Sequence, residues 1–151
     1  MSVGIGYDSH RFAEGRRLVL GGVEIEHEFG LAGHSDADVL THAVIDAVLG
    51  AAGGGDIGTL FPDDDELWRD ADSIDLLRTT VGTIAGRIVN VDATVICERP
   101  RLADHRAEME RVLAEATSAR VTVKATTNEG MGWIGRGEGI ACIAVASVDS
   151  D

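Results

Sequence analysis

Gly4-Ile5-Gly6-Tyr7-Asp8-Ser9-His10-Arg11-Phe12 is the stretch that decides how the chain is read. Its alternation predicts a strand over residues 3–12, and in a strand every second side chain points to the same face. Asp8 and His10 therefore share a face. A carboxylate oxygen and an imidazole nitrogen side by side make half of a metal site, and His42 is the residue best placed to complete it. An isolated Asp-x-His also describes a surface carboxylate next to a hydrogen-bonded histidine, so spacing alone leaves both readings open.

Working outward, residues 17–27 read as a second strand with a bulge or tight bend at Gly21-Gly22. Residues 28–35 form a loop. Ser35 then reads as a helix N-cap, with Asp38 three positions on as its capping-box partner. Val39, Ala43, Ala47 and Ala51 recur at four-residue spacing and predict a buried helix over 36–52, stopped by Gly53-Gly54-Gly55. Asp38 and Asp46 flank His42 on one face of that helix. They are candidates to hold its far nitrogen, or part of a solvated stripe.

Residues 56–72 read as an acidic loop. A helix capped by Asp72 or Ser73 follows, with Ile74, Leu77, Val81 and Ile84 inward. Residues 88–97 alternate as a strand that turns Val91, Ala93, Val95 and Cys97 to one face, and Pro100 places residues 98–101 in a loop. A helix over 103–118, with Met109, Val112, Leu113 and Ala116 inward, precedes strands at 121–127 and 139–148. The fold class predicted is α+β: a mixed β-sheet with helices layered on one face, ferredoxin-like in style. No repeat or linker divides the chain, so residues 1–151 are expected to form one domain.

Composition narrows the function. With 44% hydrophobic but only 4% aromatic residues, the core must be aliphatic and alanine-rich. A net charge of −13 disfavours nucleic acid and anionic membranes as partners. Two cysteines, no signal-like start and no long apolar run fit a cytoplasmic protein. So acidic a chain can bind phosphate only through local cations, metal ions or aimed backbone N–H groups.

Three further clusters could carry chemistry. His34-Ser35 precedes the first long helix, whose N-terminal N–H groups suit an anion. Asp56, Asp63, Asp64 and Asp65 could hold sugar hydroxyls or a hard cation, or form a solvated loop. Thr126-Thr127-Asn128-Glu129, running on through Trp133 to Arg136 and Glu138, offers hydroxyls, backbone N–H groups and a carboxylate, or a flexible glycine loop.

Four motifs in order then resemble one family over essentially the whole chain. They are Gly4-x-Gly6-x-Asp8-x-His10-x-Phe12, Ala32-Gly33-His34-Ser35-Asp36-Ala37-Asp38-Val39, Asp56-Ile57-Gly58 with Phe61-Pro62-Asp63, and Lys124-Ala125-Thr126-Thr127 running to Gly135-Arg136-Gly137-Glu138-Gly139. The chain resembles the 2-C-methyl-D-erythritol 2,4-cyclodiphosphate synthases. That resemblance implies an intramolecular phosphoryl transfer. The 2-phosphate of 4-diphosphocytidyl-2-C-methyl-D-erythritol 2-phosphate attacks the β-phosphorus, closes a cyclic diphosphate and releases CMP.

The resemblance implies Zn²⁺ on Asp8, His10 and His42, a Mg²⁺ or Mn²⁺ on Glu129, and His34 and Thr127 as transition-state stabilisers. It implies substrate contacts from Ser35, from Asp56, Ile57 and Gly58 around the ribose, and from Phe61, Pro62, Asp63, Asp64 and Asp65 around the methylerythritol. Cys97, Pro100, Arg101, Leu102 and Ala103 would surround the cytosine, with Thr126, Asn128, Trp133 and Arg136 also in contact. It further implies a homotrimer with sites between subunits, Glu129 and the metal triad on one side of each site and the cytidine pocket from the neighbouring chain. Tyr7, Arg136 and Glu138 would line a central cavity for an isoprenoid diphosphate. From the residues alone, a zinc-dependent nucleotide phosphoesterase or a non-catalytic metal- or nucleotide-binding module shares the same metal triad.

Overall fold

The computed structural model describes residues 1–150. β1 (Ser2–Ala13) is the strand against which the first long helix is laid. Gly4 and Gly6 point at that helix, and a Cβ on either would overlap the carbonyl oxygens of Ala47 and Ala43. Two missing side chains on the strand and an alanine ridge on the helix thus let backbone approach backbone. This close seating fixes the register: Gly4 lies by Ala47 and Ala51, Gly6 by Ala43, and the next residues on the same face, Asp8 and His10, lie by His42.

After β1 come β2 (Leu18–Leu20) and β3 (Val23–Ile25), which pair antiparallel. The expected single strand over 17–27 is therefore a hairpin. Gly21 and Gly22 both have positive φ, 58° and 73°, as a two-residue primed turn requires. β4 (Gly30–Leu31) pairs briefly with the end of β1, inside the segment expected to be loop.

The buried helix α1 (Val39–Ala52) starts three residues later than the sequence pattern predicts. Ala37 has a φ of 57°, which interrupts any helical path through residue 36. The cap is accordingly Asp38, not Ser35: its carboxylate accepts from Thr41 N and Thr41 Oγ1 at 3.0 and 2.8 Å. The same carboxylate takes the turn amides of Gly21 and Gly22 at 2.9 and 2.8 Å, tying the hairpin to the helix start. Asp38 is fully buried; burial pushes its carboxyl above the usual range, as does nearby Asp36, against the lowering effect of these hydrogen bonds. Gly53 closes α1 with a φ of 71°.

The acidic segment is more ordered than its composition predicts. It contains α2 (Ile57–Leu60), capped by Asp56, and a 3₁₀ turn at Glu66–Trp68, capped by Asp65. Phe61 packs edge-on against Trp68 at 4.9 Å and holds the two pieces together. α3 (Ser73–Thr83) follows its Asp72 cap and buries Ile74, Leu76, Leu77 and Thr80, with Val81 only half-buried.

β5 (Arg87–Ile96) turns Val91, Ala93 and Val95 inward as expected. A 3₁₀ turn at Ala103–His105 leads into α4 (Arg106–Thr117), which buries Met109, Leu113 and Ala116 and leaves Val112 half-buried. β6 (Arg120–Thr126), the short helix α5 (Gly132–Gly135) within the glycine-rich loop, and β7 (Gly139–Asp149) complete the order.

The main sheet runs β4-β1-β7-β5-β6. β5 and β6 are parallel, joined through α4, and every other pair is antiparallel. The fold is α+β, a mixed sheet with helices on one face. Its main elements follow as βαβαββ once α1 and α3 are counted as one layer, not the βαββαβ order of a ferredoxin-like fold. The reason is that β7 inserts between β1 and β5 while the crossover puts β6 at the edge.

Among the described residues, no helix lies on the other face of the sheet. Val3, Ile5 and Tyr7 of β1, at 68%, 70% and 55% exposure, stand there beside Ile143 and Val145 of β7. No helix among the described residues is long and apolar enough to cross a membrane.

Candidate functional site

Asp8 and His10 lie on the helix-facing side of β1, and His42 comes down from the first turns of α1. Asp8 Oδ2 is 2.9 Å from His10 Nε2 and 3.1 Å from His42 Nδ1, and the two nitrogens are 3.3 Å apart. Tetrahedral coordination at zinc–ligand distances near 2.0–2.1 Å needs ligand atoms about 3.3 Å from one another. The three atoms already form nearly one face of such a tetrahedron, so the group can bind a metal ion.

The imidazole of His10 is held by its other nitrogen: Nδ1 lies 2.7 Å from the Ala32 carbonyl oxygen, so it donates there, and Nε2, bare in the neutral ring and protonated in the imidazolium, faces Asp8. Burial pushes Asp8 up, but hydrogen bonds and charge from His10 and His42 reverse this and hold its carboxyl at about 2. Burial lowers His10, and the hydrogen bond and charge of Asp8 more than compensate, so His10 titrates above the ordinary histidine range.

The far nitrogen of His42 does not meet Asp38 or Asp46, contrary to the sequence reading. Asp38 is engaged with the hairpin turn and the helix start, and Asp46 accepts from Ile57 N at 2.7 Å. His42 Nε2 instead lies 2.8 Å from Ser73 Oγ and 3.2 Å from Ser35 Oγ. Four-residue spacing puts carboxylates on the same helix side, but the imidazole swings across to the start of α3.

His34 opens onto the same cleft as the triad, together with Ile57, Gly58, Phe61 and Asp63. Its Nε2 is 3.0 Å from the Asp65 carbonyl oxygen. Arg16, absent from the sequence reading, donates to the carbonyls of Gly33 and Ser35 at 2.8 and 2.6 Å and so grips the chain on both sides of His34. Ser35 is 8% exposed, its hydroxyl turned towards His42. Asp56 Oδ1 accepts from Thr59 N and Oγ1 at 2.9 and 2.8 Å, and those bonds hold its carboxyl below the usual range. Asp63 and Asp64 are exposed, and Asp65 N donates to the Pro62 carbonyl at 3.1 Å.

A second cleft lies elsewhere on the chain. Cys97, Pro100, Arg101, Leu102 and Ala103 line it with Thr126 and Thr127. Its β6 edge stands three strand spacings from β1, roughly 14 Å along the sheet. The turn after β6 is organised by Glu98, whose Oε1 accepts from Asn128 N and Gly130 N at 2.8 and 3.3 Å. Thr127 Oγ1 accepts from Glu129 N at 3.2 Å. Thr127 and Glu129 therefore sit with the 97–103 cleft and not with the metal triad, which corrects the expected grouping; the edge position of β6 separates them.

Trp133 is 37% exposed on α5. Arg136 Nε pairs with Glu138 at 2.8 Å just before β7, and Tyr7 stands on the helix-free sheet face. The site roles of Arg16, Ser73 and Glu98 escape a sequence reading because each acts through contacts 17 or more residues away.

Residues 1–149 match the model of the YgbB family. The chain belongs to the YgbB family. Among relatives, it is 58% identical to a 2-C-methyl-D-erythritol 2,4-cyclodiphosphate synthase of Rubrobacter xylanophilus, over 97% of this chain and 94% of that one. Among solved structures, the bifunctional IspDF of Campylobacter jejuni superposes with a TM-score of 0.91 at 42% identity, covering 96% of this chain but 41% of that longer one. A 2C-methyl-D-erythritol-2,4-cyclodiphosphate synthase in its CDP-bound form matches with a TM-score of 0.86 at 34% identity, over 97% of this chain and 99% of that one. The YgbB likeness thus extends across both clefts and the whole sheet.

Proposed function

We infer that this chain is a 2-C-methyl-D-erythritol 2,4-cyclodiphosphate synthase, a lyase of isoprenoid precursor synthesis. The observation that carries the reading is the triad Asp8, His10 and His42, presenting three ligand atoms within 3.3 Å at the floor of a cleft beside His34, in a YgbB chain similar to a CDP-bound synthase. The substrate proposed is 4-diphosphocytidyl-2-C-methyl-D-erythritol 2-phosphate, and the products are the cyclic diphosphate and CMP.

Asp8, His10 and His42 are the proposed Zn²⁺ ligands, and Glu129 is assigned to a Mg²⁺ or Mn²⁺. Divalent ions at these places would neutralise two phosphates that must meet and would polarise the attacked phosphorus. The residues do the rest by positioning, since attacker and target belong to one molecule. His34 and the Thr127 hydroxyl donate to phosphate oxygens where charge builds. Asp56 takes the ribose hydroxyls through Oδ2, the oxygen that Thr59 leaves free. Ser35, Ile57 and Gly58 line the phosphate and ribose side, and Phe61 to Asp65 face the methylerythritol. Backbone groups of Cys97, Pro100, Arg101, Leu102 and Ala103 hold the cytosine, with Thr126, Asn128, Trp133 and Arg136 around the diphosphate.

In one chain the triad and the 97–129 cleft are separated by three strand spacings, roughly 14 Å, and that separation supports a homotrimer whose sites combine the triad cleft of one subunit with the 97–129 cleft of its neighbour. The helix-free face with Val3, Ile5 and Tyr7 supplies an apolar surface for that assembly. Tyr7, Arg136 and Glu138 would then surround a central cavity open to an isoprenoid diphosphate. The location proposed is cytoplasmic.

Phosphorus NMR of the protein incubated with the substrate, Zn²⁺ and Mg²⁺ tests the reading. Ring closure gives the cyclic diphosphate and CMP. Linear hydrolysis products would identify a phosphoesterase, and unchanged substrate a binding module; either sinks the assignment.

A further inference from the structure

We propose that Ser73 and Asp36 are positioning residues that set the tautomer of His42 and, through it, the affinity of the centre for metal. The inference rests on the Asp8–His10–His42 centre proposed above.

Proton accounting around Ser73 carries the argument. Ser73 is completely buried at the first position of α3. Its hydroxyl donates to Asp36 Oδ1, and its backbone N–H donates to Asp36 Oδ2 at 3.0 Å. Asp36 Oδ1 also takes the Asp38 N–H at 3.1 Å. An ionised carboxylate only accepts, so the single hydroxyl proton of Ser73 is committed to Asp36. What Ser73 Oγ can still offer, 2.8 Å away, is a lone pair for His42 Nε2. Nε2 must then carry the imidazole proton, and Nδ1 is left as a bare lone pair 3.1 Å from Asp8.

Ser35 does not compete for the role. Its oxygen is farther from Nε2, at 3.2 Å, and accepts from Ala37 N; were its proton donated to Nε2, Ser73 Oγ would face that nitrogen at 2.8 Å lone pair to lone pair. With both rings neutral, three lone pairs therefore converge: Asp8 Oδ2, His10 Nε2 fixed through Ala32, and His42 Nδ1 fixed through Ser73 and Asp36. Such a convergence is unfavourable until a cation enters it. Groups that orient a ligand histidine in this way are commonly worth 10–100-fold in metal affinity. Asp36 also links the centre to the acidic segment, because Asp36 N donates to the Ala71 carbonyl at 3.2 Å.

The test uses Ser73→Ala and Asp36→Asn. The N–H and O–H of Ser73 go to different oxygens of Asp36, and an amide keeps an acceptor at only one of those places, so Asp36→Asn disrupts the accounting with little change in shape. Zinc affinity is read by competition with a chromophoric chelator. The His42 tautomer is read from imidazole ¹⁵N shifts of the metal-free protein at alkaline pH. Both variants are expected to lose about 10–100-fold in zinc affinity, and the Nε2–H form of His42 should no longer dominate. A helix-cap role alone would lower the melting temperature and move neither readout. If Ser73→Ala fails to fold, Asp36→Asn decides. Wild-type affinity and tautomer in a folded variant overturn the relay. A wild-type protein that takes up no zinc overturns the centre itself, and the relay with it.

Discussion

At the scale of single residues, the centre is a competition between protons and metal. His42→Ala removes a proposed ligand that is 9% exposed and should abolish stoichiometric zinc uptake and turnover while the far-ultraviolet circular dichroism survives. Metal analysis after dialysis checks this. The metal-free protein has its own pH signature. Asp8 is held at about 2 in the fold, against 3.8 as the ordinary value. Between those values the unfolded chain binds more protons, so this stability is present above pH 4 and lost as pH falls through 2. It amounts to about 2 kcal/mol. Asp8→Asn should flatten the acid limb of a urea-stability profile. His10 runs the opposite way: its raised value stabilises the metal-free fold below its ordinary range and is lost as pH rises through the folded value. Since a ligand imidazole must be neutral, zinc affinity should increase over that same rise. Asp56→Ala should raise KM several-fold more than it lowers kcat in steady-state kinetics, because Asp56 is assigned to the ribose and not to the reacting phosphates. The pairing of Asp8 with His10 is legible in the sequence because strand alternation has a fixed period. Ser73 is not, because its partner lies 31 residues away and meets it only through the packing of α3 on α1.

At the scale of elements, β1 and α1 decide whether the centre forms. Gly6→Ala would drive a methyl into the Ala43 carbonyl, so helix and strand must part. The expected cost is about 1–3 kcal/mol in urea unfolding, together with weakened zinc binding as His42 moves off Asp8. The alanine ridge of α1 announces itself at spacing four, and the glycines of β1 at spacing two. The start of α1 does not, because a non-glycine residue at positive φ, Ala37, leaves no composition signal. The Gly21-Gly22 turn is readable as a bend, but the group that accepts from its two amides, the Asp38 carboxylate, comes from elsewhere in the chain.

At the scale of the whole molecule, the proposed trimer predicts that catalysis depends on assembly. Ile5→Glu places a charge on the exposed apolar face, away from the triad. Sedimentation should show a trimer converted to monomer. Zinc uptake should persist, while turnover falls by 10²-fold or more, on the order expected when reacting groups lose alignment. A monomer of full activity would mean that one chain completes the site. Sequence patterns reach the sheet and its helical layer, since these follow from local periodicity. They do not reach the strand order, which is set by how α4 returns the chain beside β5.

The strand that begins the chain is written on both sides: Gly4, Gly6, Asp8 and His10 on one, Val3, Ile5 and Tyr7 on the other. Deleting or inserting one residue within it would exchange the two scripts, turning tyrosine and isoleucine into the helix and carrying the aspartate and histidine out to the opposite surface. Length changes in this protein should accordingly be tolerated in its turns, and within the opening strand never singly.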